Sequence, residues 1–396
     1  MTLAHRIVYS FIKTSPGRPL GRARFSAVVF AAVASAQAPT TSLVDVAGRK
    51  VNVQVAGTSK RNVPTVVFES GFGTPVAVWK PIQSDIAALT STIAYDRAGT
   101  GASEVATAPR TVKQLATELH ALLVTLGAPP PYVLVGHSWG GPIIHTFAGM
   151  FPKEVAGLVY IDPTDFMQTE ADMQAVFDKA GVKGGHAAME EMTKPMSAGA
   201  SPGLRAENGE IERAAREGFI SLRDVADPPD VPLSVLLSTR LDGLPPTFPG
   251  IATRYVQATV DQRVDHFSSL VRRSANGHLV MTTNSGHFVH VAEPELVTSE
   301  IRDVLSAATS HPELQRFVGQ YQVGPTFFIA VTREGNNLFM RPTAQPRVQL
   351  FAVSPTVFSL RVVDATVEFD TNAAGEVSAL TIAQNGHRQR VLRSHP

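Results

Sequence analysis

The feature that most restricts the fold is a serine enclosed by glycines between a strand pattern and a helix pattern. The apolar run Tyr132–Val135 predicts a buried strand, and Pro142–Met150 predicts a helix. Between them, residues 136–141 read Gly-His-Ser-Trp-Gly-Gly. Small residues around Ser138 permit a sharp strand-to-helix turn, which exposes the serine hydroxyl at the carboxyl end of a sheet. The pattern predicts a nucleophilic serine.

Strand and helix patterns alternate along the chain on both sides of this turn. Residues 111–126 predict an amphipathic helix, with Leu115, Leu119 and Leu122 on one face. Hydrophobic strands separated by helices predict an α/β fold with a largely parallel sheet, over residues 42–308. The predicted strands are Val51–Val55, Thr65–Glu69, Ser91–Tyr95, Tyr132–Gly136, Gly157–Ile161, Leu233–Ser238 and Leu279–Thr283.

One segment of this region lacks a strand pattern. Residues 163–230 lie between two predicted strands and are rich in methionine, which predicts a helical cap inserted into the sheet. Its methionines would form either an adaptable acyl pocket or ordinary packing. They are Met167, Met173, Met189, Met192 and Met196.

The pattern changes again near His311. Short strand patterns separated by Gly, Asn, Asp and Pro predict a separate antiparallel β domain over residues 312–396. Asn385-Gly386 is a strong hairpin signal within it. The predicted strands are Thr326–Val331, Leu338–Arg341, Val348–Ala352, Val357–Arg361, Thr366–Asp370, Val377–Ala383 and Gln389–Leu392.

Composition excludes several classes of function. Among 396 residues, 35 Lys and Arg stand against 34 Asp and Glu, and this near-neutral balance argues against nucleic-acid binding. The chain has no cysteine, which rules out disulfides, a cysteine nucleophile and thiolate metal sites. Neither a phosphate-binding G-x-x-x-x-G-K-[ST] pattern nor a zinc-protease H-E-x-x-H pattern is present. We expect no cofactor and no metal.

The N-terminus resembles an export signal. Five lysines and arginines but no acidic residue precede Asp45, and Phe25–Ala36 is a short apolar run. This run is too short to span a bilayer, and it ends in small residues suited to cleavage after Ala36 or Ala38. We expect residues 1–38 to be a signal peptide and the mature protein to be secreted or periplasmic, without a membrane span. An organellar transit peptide or a misassigned start codon would give a similar leader.

The motifs together resemble the α/β-hydrolase family across residues 42–308. Residues 69–73, Glu-Ser-Gly-Phe-Gly, follow a strand and resemble the family's oxyanion loop, with Ser-Gly where His-Gly is usual. Residues 95–101, Tyr-Asp-Arg-Ala-Gly-Thr-Gly, resemble the structural turn after the next strand, and residues 285–288, Ser-Gly-His-Phe, resemble the histidine segment. The serine turn at 136–141 takes the family's nucleophile position.

This resemblance implies a Ser-His-Asp triad, with Ser138 as nucleophile, His287 as base and Asp242 as acid. His290 is a nearby rival for the base. Asp242 follows the strand Leu233–Ser238, but the spacing is one residue longer than usual and lacks a Gly. Asp162, one strand earlier, is the alternative acid.

An oxyanion hole is implied as well. The backbone N–H groups of Phe72 and Trp139 are the expected donors, and this role requires no particular side chain.

The activity implied is that of an exported serine hydrolase that cleaves an ester or related carbonyl substrate of small size through an acyl-enzyme. Serine at position 138 argues against the epoxide hydrolases and haloalkane dehalogenases of this fold, which use a carboxylate nucleophile. A first alternative is an aminopeptidase of the proline iminopeptidase type, which the Gly-x-Ser-Trp-Gly-Gly sequence also resembles. Carboxylates of the cap would then hold the substrate amine: Glu190, Glu191, Glu207, Glu210 and Glu212. A second alternative is a non-catalytic binding protein on the same fold.

The C-terminal region has a resemblance of its own. Residues 317–321, Phe-Val-Gly-Gln-Tyr, and the strand spacing after them are similar to the lipocalin-like domain attached to some β-lactamase-related serine peptidases. The resemblance implies a small β-barrel that packs on or gates a catalytic domain and carries no second active site. A generic β domain without a gating role is the alternative.

Overall fold

The computed structural model describes residues 39–106, 109–183, 201–218, 222, 225–240, 249–309, 312–334, 337–360, 362–372 and 375–394. These residues form two compact units, one up to residue 309 and the other from residue 312. The predicted signal peptide at residues 1–38 lies outside the described residues.

The first unit is organised around a mixed sheet. Its described strands are β1 (Thr40–Val46), β2 (Arg49–Ala56), β3 (Thr65–Glu69), β4 (Thr92–Tyr95), β5 (Tyr132–His137), β6 (Val155–Ile161), β7 (Leu233–Ser238) and β8 (Gly277–Thr282). They lie in the order β1-β2-β4-β3-β5-β6-β7-β8. The pairs β1–β2 and β2–β4 are antiparallel, and all later pairs are parallel. The predicted α/β class is confirmed, and β1 is a strand that the sequence patterns did not predict.

Helices lie between the parallel strands and after the last of them. In the described residues they are α1 (Lys80–Ala87), α2 (Val112–Thr125), α3 (Gly140–Met150), α4 (Glu170–Ala180), α5 (Pro202–Glu217), α6 (Pro249–Val271), α7 (Val289–Ala292) and α8 (Pro294–Ala308). Helix α2 begins where Thr111 Oγ1 accepts from the backbone N–H of Gln114, which satisfies one of the free amides of the first turn. Its Leu115, Leu119 and Leu122 are buried, as the apolar spacing predicted.

The central strands are covered on both faces. All five residues of β3 and all six of β5 are buried, which a parallel sheet between two layers of helices requires. Val66 and Val133 belong to one apolar cluster, and Val67 and Leu134 belong to another. Because alternate residues of a strand point to opposite faces, two separate cores form on the two sides of the sheet. Because β5 and β6 are parallel, their carboxyl ends lie at the same edge of this buried sheet.

Between β6 and β7, the regular elements of the described residues are the helices α4 and α5. Both lie inside the predicted cap 163–230. Thr169 and Asp172 cap α4 reciprocally, with side chain to backbone bonds in both directions. Met173 is buried on α4, and Met167 packs against the apolar cluster that contains Val67 and Leu134, so both serve as packing residues. Met189, Met192 and Met196 lie outside the described residues.

The second unit is a closed antiparallel barrel. Its strands are β9 (Gly319–Gly324), β10 (Phe327–Glu334), β11 (Asn337–Pro342), β12 (Val348–Ala352), β13 (Val357–Leu360), β14 (Ala365–Thr371), β15 (Val377–Gln384) and β16 (His387–Arg393). Consecutive strands pair, and β16 closes the ring by pairing with β9. The predicted β-barrel is confirmed; β9 was not among the predicted strands. Asn385 and Gly386 have φ values of +50° and +77°, as a two-residue hairpin turn requires.

The barrel interior is filled by side chains. Phe317, Tyr321, Phe358 and Phe369 are buried there, with ring centroids between Phe317 and Phe369 4.4 Å apart. Aliphatic residues from every strand complete this core, which is separate from the two cores of the first unit. An eight-stranded barrel is just wide enough for its own side chains, and these aromatic rings occupy that space.

Candidate active site

Ser138 occupies a strained turn between β5 and α3. Its φ is +51°, a conformation that side-chain-bearing residues seldom adopt and that persists only when the surroundings enforce it. Its backbone N–H donates to Ile161 O at 3.1 Å, and its carbonyl accepts from Gly141 N at 2.9 Å. A Cβ at Gly136 would lie 2.6 Å from Gly140 O, so the turn has no room for a larger residue there. The sequence therefore folds locally into the predicted tight turn.

His287 lies against this serine. It follows β8 in a loop, and its Nε2 is 2.9 Å from Ser138 Oγ. Its Nδ1 is 2.6 Å from Asp162 Oδ2. A proton on Nδ1 donates to the carboxylate and leaves Nε2 free to accept the serine proton, so the three side chains form one continuous hydrogen-bond chain.

Asp162 is held from several sides at the end of β6. Its Oδ1 accepts from Ser238 N at 3.0 Å and from Arg263 Nη2 at 2.7 Å. Burial raises the pKa of this carboxyl, but the Arg263 charge and the hydrogen bonds from His287 and Arg263 outweigh burial and lower the pKa to about 2. The carboxylate is therefore ionised throughout the range in which an imidazole acts as a base.

Asp242 was the acid preferred from sequence, and Asp162 was the alternative. Residues 241–248 lie outside the described residues, while Asp162 occupies the hydrogen-bonding position on His287 Nδ1. An imidazole Nδ1–H faces a single acceptor at that distance, so Asp162 replaces Asp242 as our candidate acid. The physical reason is that the turn after β6 places the carboxylate beside the histidine loop, where Arg263 from α6 holds it.

The rival His290 has a different environment. It is fully buried, and neither of its ring nitrogens has a hydrogen-bond partner among the described residues. Its ring packs between Trp79 and His137, with centroid distances of 4.9 and 4.2 Å. Burial, with a smaller effect of the His287 charge, lowers its pKa to about 4, so it stays neutral. His290 is a packing residue and does not reach Ser138.

His137, which directly precedes the nucleophile, supports the histidine loop. Its Nε2 lies 2.9 Å from the backbone carbonyl of His287, which requires the proton on Nε2. Its ring is buried, and burial lowers its pKa well below the ordinary value, so it remains the neutral tautomer. The residue beside the nucleophile thus anchors the backbone of His287.

The predicted oxyanion loop runs beside the serine. A Cβ on Gly71 would lie 3.2 Å from Ser138 Cβ and 2.8 Å from His137 Nδ1, so only glycine fits there without displacement. Phe72 follows it and is partly buried. Trp139, the other expected donor, directly precedes α3 and is buried. Both expected backbone donors therefore belong to segments in contact with Ser138.

Glu69 ends β3 and is fully buried in an ion-pair network. Arg97 Nη1 pairs with Glu69 Oε1 and Arg97 Nη2 pairs with Glu207 Oε1, both at 2.6 Å. Tyr95 also donates from its hydroxyl to Glu69. Glu69 and Glu207 are thus both paired with Arg97, and neither carboxylate is free to hold a substrate ammonium group. The sequence of residues 95–101 indicated only a structural turn and gave no sign of this ion-pair network.

Of the other cap carboxylates proposed to bind an amine, two have partners in the structure and two lie outside the described residues. Glu210 pairs with Arg213 at 2.7 Å, and Glu212 accepts from Asn208 at 2.7 Å. Glu190 and Glu191 lie outside the described residues. Each candidate carboxylate that the structure describes therefore already has a hydrogen-bond or ion-pair partner.

A cavity of about 250 Å³ lies in the first unit, and no side chain of Ser138, His287 or Asp162 lines it. Its walls combine Phe166, Met167 and Leu270 with His145, Asp227 and Arg273. Among the described residues, no three His, Cys, Asp or Glu side chains converge as metal ligands would. No helix in the described part of the chain is long and apolar enough to cross a bilayer.

Comparison with known families agrees with the fold. Residues 66–300 match the family described as the alpha/beta hydrolase family. The chain belongs to this family. Residues 306–392 of this alpha/beta hydrolase match a second family, described as a domain of unknown function, DUF3471, which coincides with the barrel.

Individual relatives of the hydrolase match between about three fifths and two thirds of its chain. The uncharacterized protein YqjL of Bacillus subtilis is 32% identical over 250 residues, which cover 62% of this chain and 84% of that protein. An AB hydrolase superfamily protein of Gibberella zeae is 23% identical over 287 residues, 61% of this chain and 86% of that protein. Among solved structures, a putative lipase of Acinetobacter baumannii has a TM-score of 0.48 at 16% identity, covering 68% of this chain and 92% of that chain.

Proposed function

We propose that this protein is a serine hydrolase that cleaves an ester or related carbonyl compound of small size through an acyl-enzyme. The observation that carries the proposal is the hydrogen-bond chain from Ser138 Oγ through His287 to Asp162. A serine hydroxyl becomes a useful nucleophile only when a base removes its proton, and the base works in one tautomer when an acid holds its other nitrogen. The alpha/beta hydrolase family of the chain supports the same chemistry.

The proposed reaction has two halves. Ser138 Oγ attacks the carbonyl carbon while His287 Nε2 accepts its proton, and the Asp162 carboxylate stabilises the imidazolium through Nδ1–H. The proton then passes from Nε2 to the leaving alkoxide as the tetrahedral intermediate collapses to the acyl-enzyme. A water molecule, deprotonated by the same Nε2, attacks the acyl carbon and releases the acid.

Two backbone amides would stabilise the negative oxygen in both halves. Trp139 N–H stands at the start of α3, where the helix dipole favours negative charge, and Phe72 N–H follows the glycine packed on Ser138. Amides held by packing need no reorganisation as charge develops, which is why such donors lower the barrier.

Active-site titration tests the proposal. The full chain should react with a fluorophosphonate at one site and turn over p-nitrophenyl esters, and Ser138→Ala should abolish labelling and reduce kcat by several orders of magnitude, roughly 10⁴-fold or more, while the melting temperature is retained. Labelling that persists in Ser138→Ala would contradict the assignment. A folded wild-type chain that neither labels nor hydrolyses any ester would instead favour the non-catalytic binding protein.

The aminopeptidase alternative is tested in the same assay. Among its candidate carboxylates, Glu207 is paired with Arg97 and Glu210 with Arg213, which disfavours capture of a substrate amine by either. We therefore expect p-nitrophenyl esters to be cleaved and prolyl anilides to be left intact. Preferential cleavage of prolyl anilides would reverse the order of the two hypotheses.

We also propose that the enzyme is exported and acts as a secreted or periplasmic protein. The support is the basic leader followed by the short apolar run before Ala36 and Ala38. Expression in a bacterial host, followed by mass measurement of the extracellular or periplasmic product, should give a chain that begins after Ala36 or Ala38. An uncleaved chain confined to the cytoplasm would contradict the proposal.

A further inference from the structure

Arg97 makes contacts that a purely structural ion pair does not need. It follows β4, and its guanidinium is buried, with 4% of the side chain exposed. Besides its two carboxylate partners, it donates from Nη1 to the backbone carbonyl of Ser70 and from Nη2 to the carbonyl of Gly71 at 2.9 Å. These are consecutive carbonyls of the loop that runs beside Ser138.

The direction of these bonds determines where the following amides point. A peptide unit is planar and trans, so the carbonyl of Gly71 and the N–H of Phe72 point in opposite directions from the same plane. A guanidinium that holds the Gly71 carbonyl on one side therefore holds the Phe72 N–H on the other. Bonding of the carbonyl to a cation also polarises the peptide and strengthens its N–H as a donor.

The guanidinium is itself fixed at three positions. Glu69 at the end of β3 binds Nη1, while Glu207 on α5 binds Nη2 at 2.6 Å and Nε at 3.3 Å. Both carboxylates are fully buried, so the pairs are shielded from solvent and the planar fork keeps one orientation. The loop carbonyls thus bind to a cation that cannot rotate away.

We propose that Arg97 is a positioning residue that orients the Phe72 peptide so that its N–H serves as an oxyanion donor to the substrate bound at Ser138. The inference rests on the proposed acyl-transfer function. It adds to that function a side chain that touches no reacting atom and acts through the backbone of the loop.

The test compares an ester with the thionoester that carries C=S in place of C=O. Sulfur is a weak hydrogen-bond acceptor, so an enzyme that uses amide donors at the developing oxyanion prefers the oxygen substrate. Arg97→Lys keeps the charge but loses the planar fork that binds two carbonyls. We expect Arg97→Lys to lower kcat for the ester by about 10²-fold, with KM nearly unchanged, and to lower the preference for the ester over the thionoester by at least about tenfold.

Arg110→Lys is the matched control. Arg110 is equally buried, pairs with Glu118 at 2.7 Å and lies 3.9 Å from Glu207, but within the described part of the chain it makes no hydrogen bond or ion pair with the loop at residues 70–72. Both substitutions disturb packing and buried charge pairing, but only Arg97→Lys disturbs the hydrogen bonds to the loop carbonyls. Arg110→Lys should therefore retain the wild-type preference for the ester within about twofold, even if it melts at a lower temperature.

The outcomes separate the two hypotheses. If wild type neither labels with a fluorophosphonate nor cleaves esters, the proposed function fails. If wild type does both but Arg97→Lys keeps the wild-type ester preference, the positioning role of Arg97 is wrong. Should Arg97→Lys fail to fold, Arg97→Met combined with Glu207→Gln preserves the net charge of the Glu69, Arg97 and Glu207 group. This pair of substitutions is expected to reduce the preference in the same way, and an unchanged preference would overturn the proposal.

Discussion

Arg263 on α6 and His287 after β8 bind opposite oxygens of the same carboxylate, Asp162, at 2.7 and 2.6 Å. Arg263 also donates to Pro163 O at 3.0 Å, so it holds both the side chain and the backbone of this turn. The backbone N–H of Ser238 completes the set. The carboxylate therefore has its rotamer fixed from three elements, which is what a base-orienting acid requires.

Arg263→Met should destabilise the protein in a pH-dependent way. In wild type the pKa of Asp162 is lowered from 3.8 to about 2, so its stabilising contribution, on the order of 2 kcal/mol, is complete above pH 4 and is lost as pH falls toward 2. Without Arg263, burial dominates and raises the pKa, so the native state takes up a proton at higher pH. The deficit relative to wild type, about 3–5 kcal/mol for a broken buried pair at pH 7, should shrink as the pH falls through 4.

Thermal or urea unfolding between pH 3 and 7 measures this difference. Arg263→Lys is the control, since it keeps the charge and should lose much less. A deficit that is the same at every pH would mean that Arg263 contributes packing alone and that the charge pair with Asp162 is without effect.

Asp162→Asn and Asp242→Asn distinguish the two candidate acids. An amide at 162 would no longer accept the Nδ1 proton with the charge that stabilises the imidazolium, and the comparable substitution in a serine protease triad costs about 10⁴ in kcat. We expect a loss of this order for Asp162→Asn, measured with an ester substrate, and less than about tenfold for Asp242→Asn. The opposite pattern would restore Asp242 as the acid.

The sequence predicted the elements of the site better than their connections. Ser138 and His287 could be proposed from the sequence because turn chemistry and strand order are local properties, and both follow predicted strands. The choice between Asp162 and Asp242 depends on a hydrogen bond between residues 125 positions apart and on Arg263, which no motif marks. Such a choice is made by tertiary packing.

The missed strands have a similar explanation. β1 reads Thr-Thr-Ser-Leu-Val-Asp-Val and is mostly exposed at the sheet edge, so it lacks the buried apolar pattern of the central strands. β9 begins and ends with glycine, and its pairing with β10 and β16 closes the barrel. Both are edge or closing strands whose formation depends on distant partners more than on their own composition.

His290→Phe should reduce the acid sensitivity of the fold. The buried imidazole has a pKa of about 4 in the native state against 6.5 in the unfolded chain. The unfolded state therefore binds more protons below pH 6.5, and stability falls by up to about 3 kcal/mol between pH 6.5 and 4. Phenylalanine retains the ring between Trp79 and His137 but does not titrate.

Unfolding free energies at pH 8 and pH 5 measure the effect. The variant should gain about 2 kcal/mol relative to wild type on going from pH 8 to pH 5. The measurement at pH 8, where His290 is neutral in both states, is the internal control for changed packing. Parallel stability curves for the two proteins would contradict the assignment of a buried neutral imidazole.

Gly71→Ala should impair catalysis by crowding. The new Cβ would lie 2.8 Å from His137 Nδ1, and His137 is held by its bond to the carbonyl of His287. The loop must therefore move away from Ser138, which we expect to lower kcat by about 10-fold or more and stability by about 1–3 kcal/mol. Gly286→Ala is the matched control, because a Cβ beside His287 meets no atom within 4 Å. Equal activity losses in the two variants would contradict the crowding argument.

The last prediction is that the first unit folds and carries the active site without the barrel. Ser138, Asp162, Arg263 and His287 all lie before residue 309, and the apolar cores of the first unit and of the barrel share no residue. A unit with its own core is expected to fold by itself. A truncated chain of residues 39–309 should therefore melt cooperatively and react with a fluorophosphonate at about one site per chain. The change should appear in KM or substrate range, while an isolated 312–394 chain should fold without labelling. A truncated chain that folds but no longer labels would mean that the barrel completes the active site.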